Sequence, residues 1–378
     1  MPITYDSSTN TIVVVGGSET NPYTFEDIYQ ANQNNGWGVV EKKESAYFIH
    51  AIIQLGDGDN DAWLVDKNKQ LFFYANYAFK NPSQSGHLVL GEIENEEERT
   101  TRNGCYVECY GNYFTGFHIQ EINLFDTKVV SRWSGGGSFS YFRVDSCIGK
   151  IWNSELHSIL LMGNATDLDI YSVELGNFAE DSIVPPFMYF DVGSGSMEKI
   201  TVVNCAYAAI HFWDAGFTIK NLVARNIRNA LVLLRFARSE SFAIDWEVDW
   251  SRDIFEGNAY EGLNKLWRQY SFNVRVQDER DNPISGAKVV LKDNNGNIVY
   301  SEITNESGRT PIQILNWGYY TLDGSGNCIE YPSTPHTLIV TKQGYRKYEA
   351  KIELTKKLID FPVVLEKEIV NIDQEVLT

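Results

Sequence analysis

The stretch Phe117-His118-Ile119-Gln120-Glu121-Ile122 places apolar residues at its first, third and sixth positions. This apolar-x-apolar-x-x-apolar pattern occurs six times in the middle of the chain, and the copies start 25, 26, 32, 17 and 25 residues apart. Alternation of this kind predicts a β-strand, and an irregular repeat of this length is typical of stacked-repeat architectures. The further copies are Phe142-Val144-Cys147, Leu168-Ile170-Val173, Ile200-Val202-Cys205, Phe217-Ile219-Leu222 and Phe242-Ile244, where the last copy breaks at Glu247.

A short strand of this kind cannot bury its apolar side alone. Coils that stack at strand spacing can, because each coil covers the next one. The sequence therefore predicts an all-β chain whose first domain, residues 1–268, is a parallel β-solenoid. It also predicts that the middle residues of the six copies form one ladder, namely Ile119, Val144, Ile170, Val202, Ile219 and Ile244.

The first hundred residues are predicted to form an N-terminal cap and the first coils of the solenoid. Strands are predicted at residues 11–15, 46–55, 62–65 and 70–74. An amphipathic helix is predicted at residues 23–34, because Phe25, Ile28, Tyr29 and Asn32 share a face. Thr24 is placed to cap the N-terminus of that helix. We expect the helix to shield the open edge of the solenoid.

Beyond residue 271 the period changes to short strands separated by Asn, Asp and Gly turns, which predicts a small antiparallel β-sandwich at residues 272–367. Residues 276–278 with 282–289, the turn at 304–308 and the strand at 342–348 resemble a carboxypeptidase-regulatory-like domain of the transthyretin type. That resemblance implies a module without an active site. Residues 316–334 form an insertion or an extended loop relative to it, and residues 368–378 are a tail.

The first domain resembles the right-handed parallel β-helix class, as found in pectate lyases and phage tailspikes. The resemblance implies a right-handed solenoid with functional residues on an outer face. Candidate outward residues are Arg143, Asp145, Asp167, Asp169 and Asp245, with Asp145 and Asp245 in equivalent positions. They form no continuous acidic stripe, so solvated acids are the preferred interpretation.

No residue is assigned a catalytic, cofactor-binding or metal-binding role from the sequence. The chain contains no nucleophile, phosphate-loop or dinucleotide motif. Ca²⁺ is the one cation considered, at residues 56–61, but the position of the bidentate Glu in an EF-hand holds Asn68, so a polar turn is favoured. Five tryptophans beside the strands are candidate platforms for sugar rings or for an oligomer interface, but packing inside the solenoid or under its loops is the favoured interpretation. They are Trp133, Trp152, Trp213, Trp246 and Trp250.

The formal net charge of −18 argues against a nucleic-acid partner and against binding to an anionic membrane. The N-terminal residues lack the basic and apolar regions of a signal peptide, so we expect no export by general secretion. No apolar run approaches transmembrane length.

These observations favour a structural or binding protein over an enzyme. The specific expectation is a virion surface protein of a virus of prokaryotes, such as a tail fibre, a spike or a capsid decoration protein, with glycan binding as a further property. A polysaccharide lyase or glycoside hydrolase is the alternative, and a cell-surface adhesin is the third interpretation. The expected partners are other copies of the chain, with a trimer favoured, or other particle proteins and polysaccharide.

Overall fold

The computed structural model describes most of the chain, with gaps concentrated between residues 111 and 264. The described residues are 3–57, 59–74, 79–80, 86–110, 116–118, 121–131, 142–145, 148–157, 159–162, 167–176, 188–190, 197–205, 208–213, 218–227, 230–235, 240–251, 253–255 and 265–368.

The described elements are almost entirely β-strands. Up to residue 131 they are β1 (Ile3–Asp6), β2 (Thr11–Val14), α1 (Phe25–Asn35), β3 (Val40–Lys43), β4 (Ala46–Ile49), β5 (Ile52–Leu55), β6 (Ala62–Asp66), β7 (Gln70–Phe73), β8 (Phe79–Lys80), β9 (Gly86–Leu90), β10 (Glu92–Asn95), β11 (Thr100–Arg102), β12 (Tyr106–Cys109), β13 (Gly116–His118), β14 (Glu121–Phe125) and β15 (Lys128–Ser131).

The next group continues with short strands. They are β16 (Phe142–Asp145), β17 (Ile148–Trp152), β18 (Glu155–His157), β19 (Ile159–Met162), β20 (Asp167–Tyr171), β21 (Glu174–Gly176), β22 (Met188–Phe190), β23 (Met197–Glu198), β24 (Thr201–Cys205), β25 (Ala208–Trp213), β26 (Thr218–Lys220), β27 (Val223–Ile227), β28 (Ala230–Arg235), β29 (Glu240–Ile244) and β30 (Asp253–Phe255).

The C-terminal strands are longer. They are β31 (Lys265–Asp278), β32 (Lys288–Lys292), β33 (Ile298–Ile303), β34 (Gln313–Leu322), β35 (Cys328–Pro332), β36 (His336–Thr341), β37 (Tyr348–Ile352) and β38 (Leu358–Leu365).

The chain divides into two compact units. The first comprises Met1–Ser241, Glu247–Asn264 and Leu322–Cys328. The second comprises Phe242–Trp246, Lys265–Thr321 and Ile329–Thr378. The interval at residues 267–271, where the sequence suggests a domain boundary, lies within strand β31 and belongs to the second unit.

Most strands of the first unit pair in parallel within four sheets. Sheet 1 contains β1, β2, β5, β8, β13, β16 and β19; sheet 2 contains β6, β9, β14, β17, β20, β23 and β26; sheet 3 contains β3, β4, β7, β12, β15, β18, β21, β24 and β27; sheet 4 contains β22, β25, β28 and β30. The described strands from β4 to β21 follow one cycle of sheet 3, sheet 1 and sheet 2, interrupted only by the hairpin β10–β11. From β22 onward, sheet 4 takes the place of sheet 1 in this cycle.

Inward residues of equivalent strands form apolar ladders. In sheet 2 the register joins Leu90, Leu124, Ile151, Ile170, Met197 and Ile219, all of which are buried. In sheet 3 it joins Tyr47, Leu71, Val107, Val129, Leu156, Leu175 and Val202, which are equally buried. Each ladder removes apolar surface from water along its whole length.

The single ladder predicted from the six sequence copies is wrong. Val144 lies in sheet 1, Ile170 and Ile219 lie in sheet 2, and Val202 lies in sheet 3. Ile119 is outside the described residues. The cause is that a strand followed by a turn produces the same local alternation in every sheet, so the pattern finds strands without identifying the sheet to which each belongs.

A left-handed backbone residue marks the turn from sheet 2 to sheet 3 in successive coils. It has φ between 51° and 58° at Asp126, Asn153, Ser172, Lys199 and Asn221. The amide of Ser172 donates to the carbonyl of Glu198 at 3.0 Å, and equivalent bonds join the neighbouring coils. The residue that follows each of them points inward and is buried, namely Thr127, Ser154, Val173, Ile200 and Leu222.

Helix α1 and strands β2, β6 and β7 confirm the sequence prediction, whereas the predicted range 46–55 divides into β4 and β5 of two different sheets. Thr24 caps the helix, and the side chain of Asp27 bonds back to it in a capping box. Phe25 is buried against the rings of Tyr47, Phe73 and Phe79. The helix thus covers apolar side chains of the opening coils.

The second unit consists of two sheets. Strand β31 pairs antiparallel with β34 and parallel with β38, while β33, β32, β36 and β37 form an antiparallel sheet. The rings of Phe272 and Tyr300 meet at 5.3 Å between these sheets. Strands β34 and β35 pair in an extended hairpin at residues 316–334, of which Leu322–Cys328 is assigned to the first unit. Within the second unit, Trp317 stacks on Tyr320 at 5.3 Å.

Asx turns close several loops of the second unit. The side chain of Asp278 accepts bonds from the amides of Arg280 and Asn282, each at 2.9 Å. The turn of Asp293 and Asn297 repeats this arrangement. Such bonds favour the charged carboxylate, and those from Asn282 hold the pKa of Asp278 below its usual range.

Replacement of Ser172 by Asn should stabilise the protein by roughly 0.5 kcal/mol, because Asn tolerates the left-handed region better than Ser. Replacement of Ser172 by Val should instead destabilise it by roughly 1–2 kcal/mol. Urea denaturation measures both. Thr201→Asn, at the first residue of β24, is the control and should not be stabilising, because this position is extended; a gain there equal to that of Ser172→Asn would contradict the turn-specific explanation.

His336 should make stability depend on pH. Its side chain is buried, Nδ1 has no hydrogen-bond partner among the described residues, and burial lowers the pKa of the imidazole below 6.5. As pH falls through 6.5 the unfolded chain binds a proton that the folded chain does not, so stability decreases by up to about 1.4 kcal/mol per pH unit. His336→Leu should flatten urea midpoints measured from pH 7.5 to 5. The exposed control His50→Gln should leave that slope intact, and an unchanged slope in His336→Leu would refute the assignment.

Candidate functional site

The outer face of sheet 2 carries three rows of side chains, set by the register of its strands. The first row is Trp63, His87, Glu121 and Ile148; the second is Val65, Val89, Asn123, Lys150 and Asp169; the third is Phe125, Trp152, Tyr171, Glu198 and Lys220. Charged, amide and aromatic groups therefore stand side by side on a flat support. We call these three rows the polar face.

The first row begins with a stacked pair. The rings of Trp63 and His87 lie 4.1 Å apart and 7° from parallel. Nδ1 of His87 lies 2.7 Å from Oε2 of Glu121, and the amide of Asn123 donates to Oε1 of the same carboxylate at 2.8 Å. This chain of contacts fixes the orientation of the Glu121 carboxylate.

Gly149 permits the close approach of two strands beneath the polar face. Its φ is 140°, and a Cβ at this position would lie 2.0 Å from the carbonyl oxygen of Ile122. The neighbouring amide of Lys150 donates to Oδ1 of Asn123 at 2.9 Å. The glycine therefore supports the position of the Asn123 side chain.

The hairpin of β10 and β11 contacts the third row. The guanidinium of Arg99 lies 4.6 Å from the ring centre of Tyr171 and 5.6 Å from that of Trp152. It also lies 3.5 Å from Asp169 and 3.9 Å from Glu198. Arg99 thus combines ring stacking with two ion pairs.

Further contacts attach the hairpin to the sheet. Asn153 donates to the carbonyl of Arg99 at 2.8 Å, and Lys150 pairs with Glu96. At the base of the hairpin, Glu92 accepts bonds from Lys67, Asn103 and Arg102, which lower its pKa to about 2. Backbone and side-chain bonds together determine where the hairpin lies.

Of the outward residues predicted from the sequence, Asp169 lies on the polar face, and the others lie elsewhere or have side chains that are not described. Asp169 lies on the polar face, where it accepts a bond from Nε1 of Trp152 at 3.0 Å. Arg143 and Asp145 lie in β16 of sheet 1, and Asp167 lies in β20, but their side chains fall outside the described set. Trp133 lies wholly outside it, as does the side chain of Trp213.

Asp245 is not an outward residue. It is buried, and it accepts bonds from the backbone amide of Ser271 at 2.6 Å and from the hydroxyl of the same residue. Its φ of 56° places it in a turn, whereas Asp145 belongs to a strand, so the two are not equivalent. Sequence spacing alone did not separate strand from turn.

Two of the five candidate tryptophans are buried, as the favoured packing interpretation predicts. Trp152 and Trp246 each have 2% of their surface exposed. The ring of Trp152 packs against Phe125 and lies beside Arg99, so its ring is shielded. Sequence reasoning did not find Trp63, His87 and Glu121, whose only signal is their place at outward positions of three successive sheet 2 strands.

The loop considered for Ca²⁺ forms an Asx turn. Oδ1 of Asp57 accepts bonds from the amides of Asp59 at 3.1 Å and Asn60 at 2.9 Å. The bonds from Asn60 hold the pKa of Asp57 below its usual range. This carboxylate is thus engaged within its own turn.

Comparisons with known proteins add little. No family model and no curated protein matches the chain. Among solved structures, a similarity is found to a mutant of catechol 1,2-dioxygenase from Acinetobacter radioresistens, at 18% identity and a TM-score of 0.19. The match covers 34% of this chain and 58% of the dioxygenase chain, and its TM-score is too low to indicate a shared fold.

Within the described residues, no helix has the length and apolar character needed to cross a membrane.

Arg99→Ala should loosen the hairpin of β10 and β11, because the stacking on Tyr171 and both ion pairs are lost together. Hydrogen exchange read by mass spectrometry should show roughly tenfold faster exchange at residues 92–102, equivalent to about 1.4 kcal/mol. Arg99→Lys retains the charge but loses the planar stacking, so it should have an intermediate effect. The exposed control Arg280→Ala should change nothing in this segment, and unaltered exchange in Arg99→Ala would contradict the proposed attachment.

Proposed function

We propose that the chain is a structural, glycan-binding protein of a virion surface, as formed by tail fibres, spikes and capsid decoration proteins of viruses of prokaryotes. In this proposal the first unit is a right-handed parallel β-helix and the second is a carboxypeptidase-regulatory-like β-sandwich. The cyclic order of strands through parallel sheets supports the β-helix, because each coil adds one strand to each sheet. The two sheets and the Asx turns of the second unit support the sandwich.

The observation that carries glycan binding is the fixed arrangement of the polar face. Sugars are bound through aromatic ring faces and through polar groups that are held ready before binding. Trp63 and His87 supply a stacked aromatic pair, and Glu121 and Asn123 supply a carboxylate and an amide held by mutual bonds. Trp63 is half-buried, so its ring remains partly accessible.

The polar face is also a better candidate than the aromatic rows of sheet 3. There His50, Tyr74 and Tyr110 stack at 4.9 Å, with interplanar angles of 14° and 5°. Tyr74 is stacked on both faces, by His50 and by Tyr110, whereas Trp63 stacks on a single ring, that of His87, among the described residues. Ring stacking therefore covers only one face of Trp63, and a sugar ring needs an uncovered face. Those rows therefore serve as a useful contrast in binding experiments.

A polysaccharide lyase or glycoside hydrolase is the second candidate. Asp169 and Glu198 both approach Arg99 on the polar face, and β-helix enzymes of these classes work with carboxylates and arginine on an outer face. A cell-surface adhesin is the third candidate and would use the same binding residues.

The binding experiment uses the full chain and a panel of acidic and neutral bacterial polysaccharides, with biolayer interferometry as the readout. Trp63→Ala and Glu121→Gln should each weaken binding at least about tenfold, equivalent to about 1.4 kcal/mol. Tyr74→Ala, which removes an exposed ring from sheet 3, is the matched control and should bind like the natural chain. No binding, or equal weakening by Tyr74→Ala, would reject the polar face as the site.

The same incubations separate the candidate functions. New reducing ends or unsaturated products absorbing in the ultraviolet would establish the enzyme. Binding without products supports the structural role, and detection of the chain by mass spectrometry in purified particles separates the virion protein from the adhesin.

Self-assembly is part of this proposal, with a trimer as the favoured form. A charge of −18 per chain opposes association, so salt should strengthen it by screening the repulsion. Light scattering across a salt series should therefore show a molecular mass that rises with salt. A monomer at every salt concentration would reject self-assembly, and the proposed partner would then be a different particle protein.

A further inference from the structure

A second group of side chains, on the outer face of sheet 3, has the composition of a metal site. Glu155 and His157 lie two residues apart in β18 with buried Leu156 between them, so both point outward. Glu174 of β21 stands directly beside Glu155 in the register. One donor atom from each of the three side chains lies within 4.8 Å of the others.

The electrostatics of this group favour a bound cation. Like charges placed directly opposite on neighbouring strands repel. Lys128 of β15 pairs with Glu155, but Glu174 has no cationic partner among the described residues. A divalent cation between the strands would compensate the second carboxylate.

The geometry also leaves space for an ion beside the imidazole. The residue opposite His157 in β21 is Gly176, which has no side chain to occupy that position. Nε2 of His157 lies 3.5 Å from Oε2 of Glu155, so the ring nitrogen already faces the carboxylate. The imidazole is 15% exposed, and the Glu155 side chain, at 47%, is free to adjust.

We propose that Glu155, His157 and Glu174 bind a divalent transition-metal ion of the zinc type. One imidazole nitrogen and two carboxylate oxygens suit Zn²⁺, Co²⁺ or Ni²⁺, whereas Ca²⁺ prefers an all-oxygen set. Ligand atoms around Zn²⁺ stand about 3.3 Å apart for bonds of about 2.0 Å, so no pair of these donors needs to approach by more than roughly 1.5 Å on binding. The ion would join two adjacent strands of sheet 3.

Lys128 gives the proposal a distinguishing property. Its ammonium group occupies an oxygen of Glu155, so it competes with the ion for that carboxylate. Lys128→Gln should therefore tighten metal binding several-fold, although it removes an ion pair. A purely structural role of Lys128 would not produce this gain.

Titration calorimetry of the chelator-treated full chain with ZnCl₂, and visible absorption with CoCl₂, test the site. His157→Gln and Glu174→Gln should each weaken Zn²⁺ binding at least about tenfold, an effect of at least about 1.4 kcal/mol. His50→Gln, at a surface imidazole remote in sequence, should bind like the natural chain. Absence of Zn²⁺ binding, equal affinity in His157→Gln, or binding of Ca²⁺ but not Zn²⁺ would overturn the proposal.

Discussion

The register of hydrogen bonds between neighbouring parallel strands is the constraint on which the rest of the first unit depends. A slip of one residue would turn every inward side chain outward and destroy the apolar ladders. The turn from sheet 2 to sheet 3 maintains this register, because at four of these turns the amide of the left-handed residue donates to the next coil. The next residue, such as Val173 or Ile200, then enters the core.

The same register creates the surfaces to which we assign binding. Strands in parallel register bring outward residues from distant parts of the sequence into straight rows, as at Trp63, His87 and Glu121. The sheet supplies a rigid support, and bonds between neighbours in a row restrict the side chains before any ligand arrives. An insertion between two strands can add side chains beside the polar face without changing the register of its three rows. The hairpin that carries Arg99 is such an insertion.

The sequence predicts individual strands and the helix well, but it does not predict which strands pair in the same sheet. The N-terminal strands, helix α1 and its Thr24 cap depend on interactions between residues close in the chain, so alternation and capping rules identified them. Assignment of strands to sheets depends on loop lengths that vary, and the six copies were therefore placed in one ladder. The left-handed turns could not be predicted from residue type, because Ser172 and Lys199 occupy equivalent positions to the Asp and Asn residues that favour this conformation. The sequence did not reveal what packs against Trp152, because Arg99 comes from a hairpin more than forty residues earlier in the chain.

Acidic side chains are compensated differently on the outer faces of sheet 2 and sheet 3. On the polar face three described acids have a basic or amide neighbour: Glu121 has His87 and Asn123, and Asp169 and Glu198 have Arg99. Such internal compensation lowers the cost of covering the face with an uncharged ligand, because the ion pairs are already formed. On sheet 3 Lys128 pairs with Glu155, whereas Glu174 has no cationic partner among the described residues, which leaves local negative charge. This difference in charge compensation is the physical basis on which we propose a polysaccharide as the ligand of one face and a small cation as the ligand of the other, although the same coils build both.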